Sequence, residues 1–270
     1  MSNSNSILMI DPAFDPALAS RCHLLIKVGM DSFSYAIIDK TKDQVVAVFD
    51  TQECTDGVAQ LSSLLQSDPN LGLAYAEKKL AYFTENTITM PTLLFDPEEV
   101  EVQTQYFNLP GSDQLHVVAE RNLGVTTLLN FPEQAEQLIG SINGRILPFT
   151  AGLLALAEKD ADALYLDFTV CSFAAVWVKD GQLIFQQTYE IIGLEEFNYY
   201  LLLLINQLQL KPEQTVVKLC GLVHEGDERY GCIQKYFQSI GFATSKLDQE
   251  AITDLPLYYY TSLLALDQCE

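Results

Sequence analysis

Apolar and polar positions along this chain fall into short hydrophobic runs separated by turn-forming residues, and two stretches follow the same plan. Ile26–Phe49 reads IKVGMDSFSYAIIDKTKDQVVAVF, and Leu164–Gln187 reads LYLDFTVCSFAAVWVKDGQLIFQQ. Runs rich in β-branched and aromatic residues between turn signals predict strands. The first stretch predicts them over Leu24–Val28, Ser34–Asp39 and Gln44–Phe49, and the second over Leu164–Asp167, Ser172–Lys179 and Gln182–Gln187. KTKD and KDG supply the hairpin turns. A gapless comparison at an offset of 138 positions puts Val28 on Leu166, Ser34 on Ser172, Ile38 on Val176 and Gln44 on Gln182. The chain therefore reads as an internal duplication.

The segments around these hairpins alternate between helix and strand patterns. A helix-like stretch over Thr55–Gln66 follows the first set, then strands over Leu80–Thr84 and Thr87–Thr89. Asp96 as N-cap, Pro97 at the first helical position and Glu98 and Glu99 in the first turn predict a helix start. Strands in LHVVAE and VTTLLN come next. FPEQAEQLIGSI then reads as a helix with Ala135, Leu138, Ile139 and Ile142 on one face, and FTAGLLALAEKDADA as another. After the second set come a helix over Leu194–Leu208, a strand in TVVKLCG and a helix over Arg229–Ile240. A strand in FATSKL and a last helix in LPLYYYTSLLALD complete the order β-β-β-α-β-α-β-α. The expected class is α/β, with an N-terminal arm (1–22) and two tandem lobes, 23–158 and 159–270.

Composition narrows the partners. At 49% hydrophobic residues and a mean hydropathy of +0.11, a chain of 270 residues can bury a substantial core. Fifteen basic against 36 acidic residues leave a net charge of −21. Such a surface repels nucleic acid and anionic membranes, because affinity for phosphate draws on Lys and Arg. No nucleic-acid partner and no membrane insertion are expected. The longest apolar run, Tyr199–Ile205, falls far short of the ~20 residues a membrane span needs. The six cysteines, Cys22, Cys54, Cys171, Cys220, Cys232 and Cys269, show no C-x-x-C spacing. The first residues are too polar, and too broken by Pro12 and Pro16, for a secretory signal, so a reducing cytoplasm is expected.

A three-strand meander followed by alternating helices and strands, present twice, resembles the ribonuclease H-like fold in its duplicated, actin-like form. That superfamily includes actin, the heat-shock chaperone ATPases, sugar kinases and the actin-like assembly protein of type IV pili. The chain is also similar to a bacterial cytoplasmic family with no assigned activity. The resemblance implies that each copy opens with a strand ending in Asp and a glycine-rich turn, which hold phosphates and metal. It further implies a later strand ending in paired glycines that approaches adenosine. On the gapless comparison the first pattern falls on Gly29, Met30, Asp31 and Ser32, so its Asp is absent and a carboxylate stands at a glycine position. The second falls on Asp167, Phe168, Thr169, Val170, Cys171 and Ser172, where the Asp stays and the glycines are gone. The adenosine motif falls on LCGLVHEG, where Gly221 remains beside Leu222.

Asp31, Ser32, Asp167, Thr169, Ser172 and Gly221 are thus the positions of a vestigial cleft. Phosphate loops use glycine so that backbone N–H groups can approach oxyanions closely. Branched Thr169 and Val170 resist that geometry, and Asp31 would repel a triphosphate by about 1 kcal/mol or more. No cofactor, metal or catalytic residue is expected. The expected role is a non-catalytic cytoplasmic scaffold or adaptor that binds a protein partner, with a homodimer as one form. The alternative is a nucleotide-binding switch or weak ATPase with an unconventional phosphate loop.

Other chemistries find less support. A nuclease needs carboxylates converging on two metals, whereas Asp31 and Asp167 lie in different copies and read as a solvated loop carboxylate and a turn cap. Cys22-His23 and His224–Glu228 offer ligand types without ligand spacing and read as solvated loops. No G-x-S-x-G elbow and no P-loop occurs. EEFNYYLLLLINQLQL is apolar nearly all round and reads as a central helix between the halves, with part of it a candidate association surface. Tyr258, Tyr259 and Tyr260 raise the same question, since consecutive residues cannot all face one core.

Overall fold

The computed structural model describes residues 6–52, 57–107, 111–157, 162–247, 249 and 255–269. Cys54 and the start of the helix expected from Thr55 lie outside them. The first half runs β1 (Ser6–Ile10), β2 (Cys22–Val28), β3 (Ser32–Asp39), β4 (Gln44–Gln52), α1 (Gly57–Ser67) and β5 (Glu77–Tyr82). An insertion follows: β6 (Thr87–Pro91), α2 (Val100–Thr104), β7 (Leu115–Glu120) and β8 (Val125–Asn130). Then come α3 (Glu133–Ile142), β9 (Arg145–Pro148) and α4 (Ala151–Leu156). The second half runs β10 (Ala163–Phe168), β11 (Ser172–Lys179), β12 (Gln182–Glu190), α5 (Leu194–Gln207), β13 (Val216–Gly221), α6 (Glu228–Gln234), β14 (Ser239–Phe242) and α7 (Thr261–Leu264).

Two mixed sheets carry the halves. Their strand orders, β1-β4-β3-β2-β5-β9 and β12-β11-β10-β13-β14, are the same once β1 is set aside. In each, three antiparallel strands are followed by two parallel ones. Strands β2 and β10 lie at the centre and are buried on both faces, which is why LLIKV and LYLDF read as continuous rather than alternating runs. The inserted strands form a separate sheet, β6-β8-β7.

The strand registers redefine the repeat. Val28 pairs with Phe33 and Phe168 with Phe173, and a bulge breaks both β3–β4 at Ile37/Ile38 and β11–β12 at Trp177/Val178. The equivalent offset is therefore 140 in the first two strands. It returns to 138 in the third, because residues 40–43 connect β3 to β4 while Asp180 and Gly181 alone connect β11 to β12. Both of those residues have positive φ, 50° and 71°, as a two-residue hairpin turn requires. Val28 thus corresponds to Phe168 rather than Leu166, and Lys27 corresponds to Asp167. A slip of two residues keeps every side chain on its own face of the strand, so the hydrophobic pattern cannot reveal it.

Several boundaries differ from the sequence-based expectation. Residues 6–10 form an added edge strand. Asp96 closes a local turn by accepting the Glu98 N–H at 2.8 Å, and α2 begins only at Val100. RILP forms β9, which its four residues did not announce. The chain after Gln234 turns into β14, which pairs in parallel with β13, so the expected helix stops short of Ile240 and the last strand lies earlier than FATSKL. The final helix starts at Thr261.

The ends of the two halves cross. Leu153 and Leu154 of α4 join Tyr165, Ala174 and Val176 of the second sheet in one apolar cluster. Tyr260, Leu263, Leu264 and Leu266 of the C-terminal segment join the core of the first sheet. α4 and α7 touch at Gly152, where a Cβ would lie 1.8 Å from the Ser262 carbonyl oxygen. Only glycine permits that approach.

Candidate functional site

The hairpin turns that end β2 and β10 face each other where the two halves meet. Each is closed in the same way, by Gly29 N–H to Ser32 O at 2.8 Å and by Thr169 N–H to Ser172 O at 3.0 Å. Asp31 projects from the first turn into the second. Its carboxylate accepts the Cys171 N–H at 2.6 Å, and the Thr169 hydroxyl lies 2.8 and 2.9 Å from its two oxygens. The Ser172 hydroxyl stands 3.3 Å away. On the far side of the second turn Arg229, at the start of α6, donates to Thr169 O at 2.7 Å and to Val170 O. The polar backbone of that turn is thus held from both sides.

A second contact lies deeper. Lys27 of β2 forms an ion pair with Asp167 of β10 and donates to the Ser262 hydroxyl at 2.8 Å, while that hydroxyl donates to Asp167 at 2.6 Å. Lys27 and Asp167 are equivalent positions of the repeat, so the pair joins the two copies at matching places. Both are buried. Lys27 also stands 4.5 Å from the centre of the Phe149 ring. A buried pair survives desolvation only with further hydrogen bonds to satisfy it, and Ser262, delivered by α7, supplies them. The Cys220 thiol is pushed far up by burial and by the Asp167 charge, which keeps it protonated.

Asp50 of β4 borders the same space. Burial raises its carboxyl to about 6, against hydrogen bonds from Gln52 and Tyr260 and the charge of Lys27. A cavity of about 30 Å3 remains between these groups, roughly the volume of one water molecule. Larger hollows of about 710 and 760 Å3 lie against the inserted sheet, and Met30 of the first turn lines the second of them.

The structure gathers all six positions expected in the vestigial cleft. Asp31, Thr169 and Ser172 form the upper contact; Ser32, Asp167, Thr169 and Gly221 line the small cavity. Asp31 is buried at 9% exposure, so the expectation of a solvated carboxylate is corrected: the opposite turn supplies the hydrogen bonds that water would have made. Asp167 holds an ion pair rather than capping a turn. Gly221 has φ 78°, and a Cβ there would lie 2.2 Å from Phe168 O. Lys27, Asp50, Arg229 and Ser262 went unrecognised. Lys27 carried a visible signal, a lone charge inside LLIKV; Ser262 carried none, since only α7 brings it near.

The rival surfaces also change. His23 bonds Asp267 at 2.7 Å and Cys22 is buried, so that dipeptide is neither a ligand pair nor a solvated loop. No group of three or more His, Cys, Asp or Glu among the described residues could hold a metal ion. α5 packs Phe197, Leu201 and Leu204 into the second core and contacts α6; it does not lie between the halves. Tyr258 stacks on Phe242 at 3.9 Å and Tyr260 enters the first core, so these tyrosines staple the two halves. No helix of the described residues is long and apolar enough to cross a membrane.

Two three-plus-two sheets in duplicate, meeting at their hairpin turns, define an actin-like fold. Comparison with solved structures agrees. A Bacteroides thetaiotaomicron protein of actin-like ATPase fold and unknown function is similar over 93% of this chain and 98% of its own, with a TM-score of 0.73 at 17% identity. The PilM–PilN type IV pilus biogenesis complex matches at a TM-score of 0.55 and 12% identity, over 92% of this chain and 98% of that one. The ethanolamine utilization protein EutJ of Carboxydothermus hydrogenoformans matches at 0.52 and 9% identity, over 97% and 93%. The chain itself belongs to DUF3822, a family of proteins of unknown function whose profile spans residues 11–240. No curated protein matches it.

Proposed function

We propose that this protein is a non-catalytic cytoplasmic scaffold or adaptor that binds another protein, built on an actin-like fold whose nucleotide cleft is locked by its own side chains. The observation that carries this reading is the direct contact of the two turns around a cavity of only about 30 Å3. Small-molecule and cofactor sites occupy roughly 300–1,000 Å3. Asp31 takes the Cys171 N–H, which a phosphate loop would offer to an oxyanion. In the register that the strands show, Lys27 rather than Gly29 stands opposite Asp167 in the repeat, at the place where the resemblance implies a metal-binding Asp, and it neutralises the Asp167 that remains. The site thus contains its own anion and its own cation. Opening it for a triphosphate would part Lys27 from Asp167 and turn the Asp31 and Asp167 carboxylates toward the phosphates. We take the chain as an arm (1–22) and two lobes (23–158 and 159–270), the boundary between the lobes lying outside the described residues. The PilM neighbour, solved with PilN, lends the scaffold reading its plausibility.

Thermal denaturation with and without millimolar Mg-ATP tests this. A ligand that binds the folded state must raise its melting temperature. The expected result is no shift with ATP, ADP or GTP; a rise of several degrees would replace the scaffold with a nucleotide switch.

A further inference from the structure

The outer edge of β12 is a second place where the repeat informs function. β12 ends its sheet, paired only with β11, and β6 ends the inserted sheet, paired only with β8, among the described residues. Both border the hollow of about 760 Å3. Leu183–Thr188, six consecutive residues of β12, line it. A strand showing its face would offer every second residue. Consecutive lining means that the strand's backbone edge, with outward N–H and C=O groups, borders the hollow.

The first half displays what such an edge accepts. β4 is the counterpart of β12, and β1 lies antiparallel along it, with Ile10 opposite Ala47 and Ser6 opposite Thr51. Asp11 N–H donates to the directly opposed Val46 O at 2.9 Å. Hydrogen-bonded pairs alternate along an antiparallel ladder, so Val46, Val48 and Asp50 turn their backbone groups to β1. The equivalents at offset 138 are Ile184, Gln186 and Thr188, and all three line the hollow. Val46 is also the bulged residue skipped between Ala47 and Val45, and Ile184 is skipped in the same way between Phe185 and Leu183. The carbonyl that anchors β1 in one half therefore has a matching position in the other.

The charge around the seat selects the occupant. Among the described residues Glu85 is the only charged one lining the hollow, and the whole chain carries −21. We propose that the outer edge of β12 receives an extended segment of a partner protein, paired antiparallel as β1 is on β4. The segment is apolar at alternate positions and carries a basic residue toward Glu85. Gln186, which accepts from the Thr150 hydroxyl at 2.7 Å and donates to Thr89 of β6, bridges the hollow and swings aside when the segment enters. This rests on the protein-binding reading and specifies its surface.

The test uses the full chain and a synthetic peptide with the β1 sequence SILMI between two lysines, read by amide hydrogen exchange. Protection is expected at Ile184, Gln186 and Thr188. Thr188→Pro removes one outward donor and leaves the β11 ladder in place, so it should weaken binding roughly three- to tenfold. If that variant fails to fold, Ile184→Lys, which sets a like charge against the peptide on the edge, should weaken binding instead. The proposal is overturned by protection at residues 46–50 with β1 displaced, by protection on any other surface, or by no binding at millimolar peptide. Undiminished binding by the variants, or protection of the same amides by the protein alone at high concentration, overturns it too. Peptide seated elsewhere would leave the scaffold reading intact, whereas a nucleotide-induced rise in melting temperature would remove that reading whatever the peptide does.

Discussion

Lys27 and Asp31 decide the chemistry of the cleft at the scale of single residues. Each places a charge inside the protein and hands it to the opposite copy: Lys27 to Asp167, Asp31 to Cys171 N–H and the Thr169 hydroxyl. A buried pair contributes little relative to an apolar replacement, but one partner without the other is expensive. Lys27→Met should therefore cost about 3–5 kcal/mol of unfolding free energy by leaving Asp167 uncompensated. The double change Lys27→Met with Asp167→Leu should recover most of that loss. Urea denaturation of the three proteins reads both quantities; a single variant costing less than about 1 kcal/mol would mean the pair is solvated after all.

Gly221 governs how closely two secondary elements can meet. It ends β13 beside the end of β10, donates its N–H to Tyr258 O at 3.1 Å and sits at φ 78°. Alanine there meets both a left-handed backbone and a contact 2.2 Å from Phe168 O. Gly221→Ala should destabilise by roughly 2–4 kcal/mol and loosen the C-terminal segment from β13. Chemical denaturation gives the first effect, and faster amide exchange at Gly221 the second. An unaltered variant would show that β13 and β10 can part without loss. The same geometry gives this glycine a role in strand packing, a need independent of any ligand.

Folding of the whole molecule is linked to pH through Asp50, which lies under the C-terminal segment where the halves cross. Its folded carboxyl, raised to about 6 by burial, exceeds the ordinary value of 3.8. The folded state therefore binds this proton more tightly than the unfolded state does. The resulting stability is fully present below about pH 4 and is lost as pH rises through about 6. Asp50→Asn should remove that slope. Its stability relative to the parent should rise by up to about 3 kcal/mol between pH 4 and pH 7. Parallel stability curves for the two proteins across that window would refute the assignment. Asp39 and Asp267, held low by hydrogen bonds and by the charges of Arg21 and of Lys40 and His23 despite their burial, act in the opposite sense, so only the difference between parent and variant isolates Asp50.

The sequence by itself determined the two hairpins, the α/β class and the order of elements in the second half. Those features rest on local periodicity and turn chemistry, which neighbouring residues settle among themselves. The resemblance it carries also singled out Asp31, Thr169 and Gly221, which the fold brings to the two facing turns and to the end of β13 beside β10. The tertiary structure alone decided the two-residue slip that makes Lys27 the partner of Asp167, since a shift of two along a strand changes no side chain's face. It alone decided that Ser262 reaches the cleft and that three consecutive tyrosines serve two cores, because both depend on a chain end crossing to the other half. It also decided that, among the described residues, no strand pairs with the outer edge of β12 whereas β1 covers that of β4: hydrogen bonds between distant strands are made by backbone, which is the same at every residue.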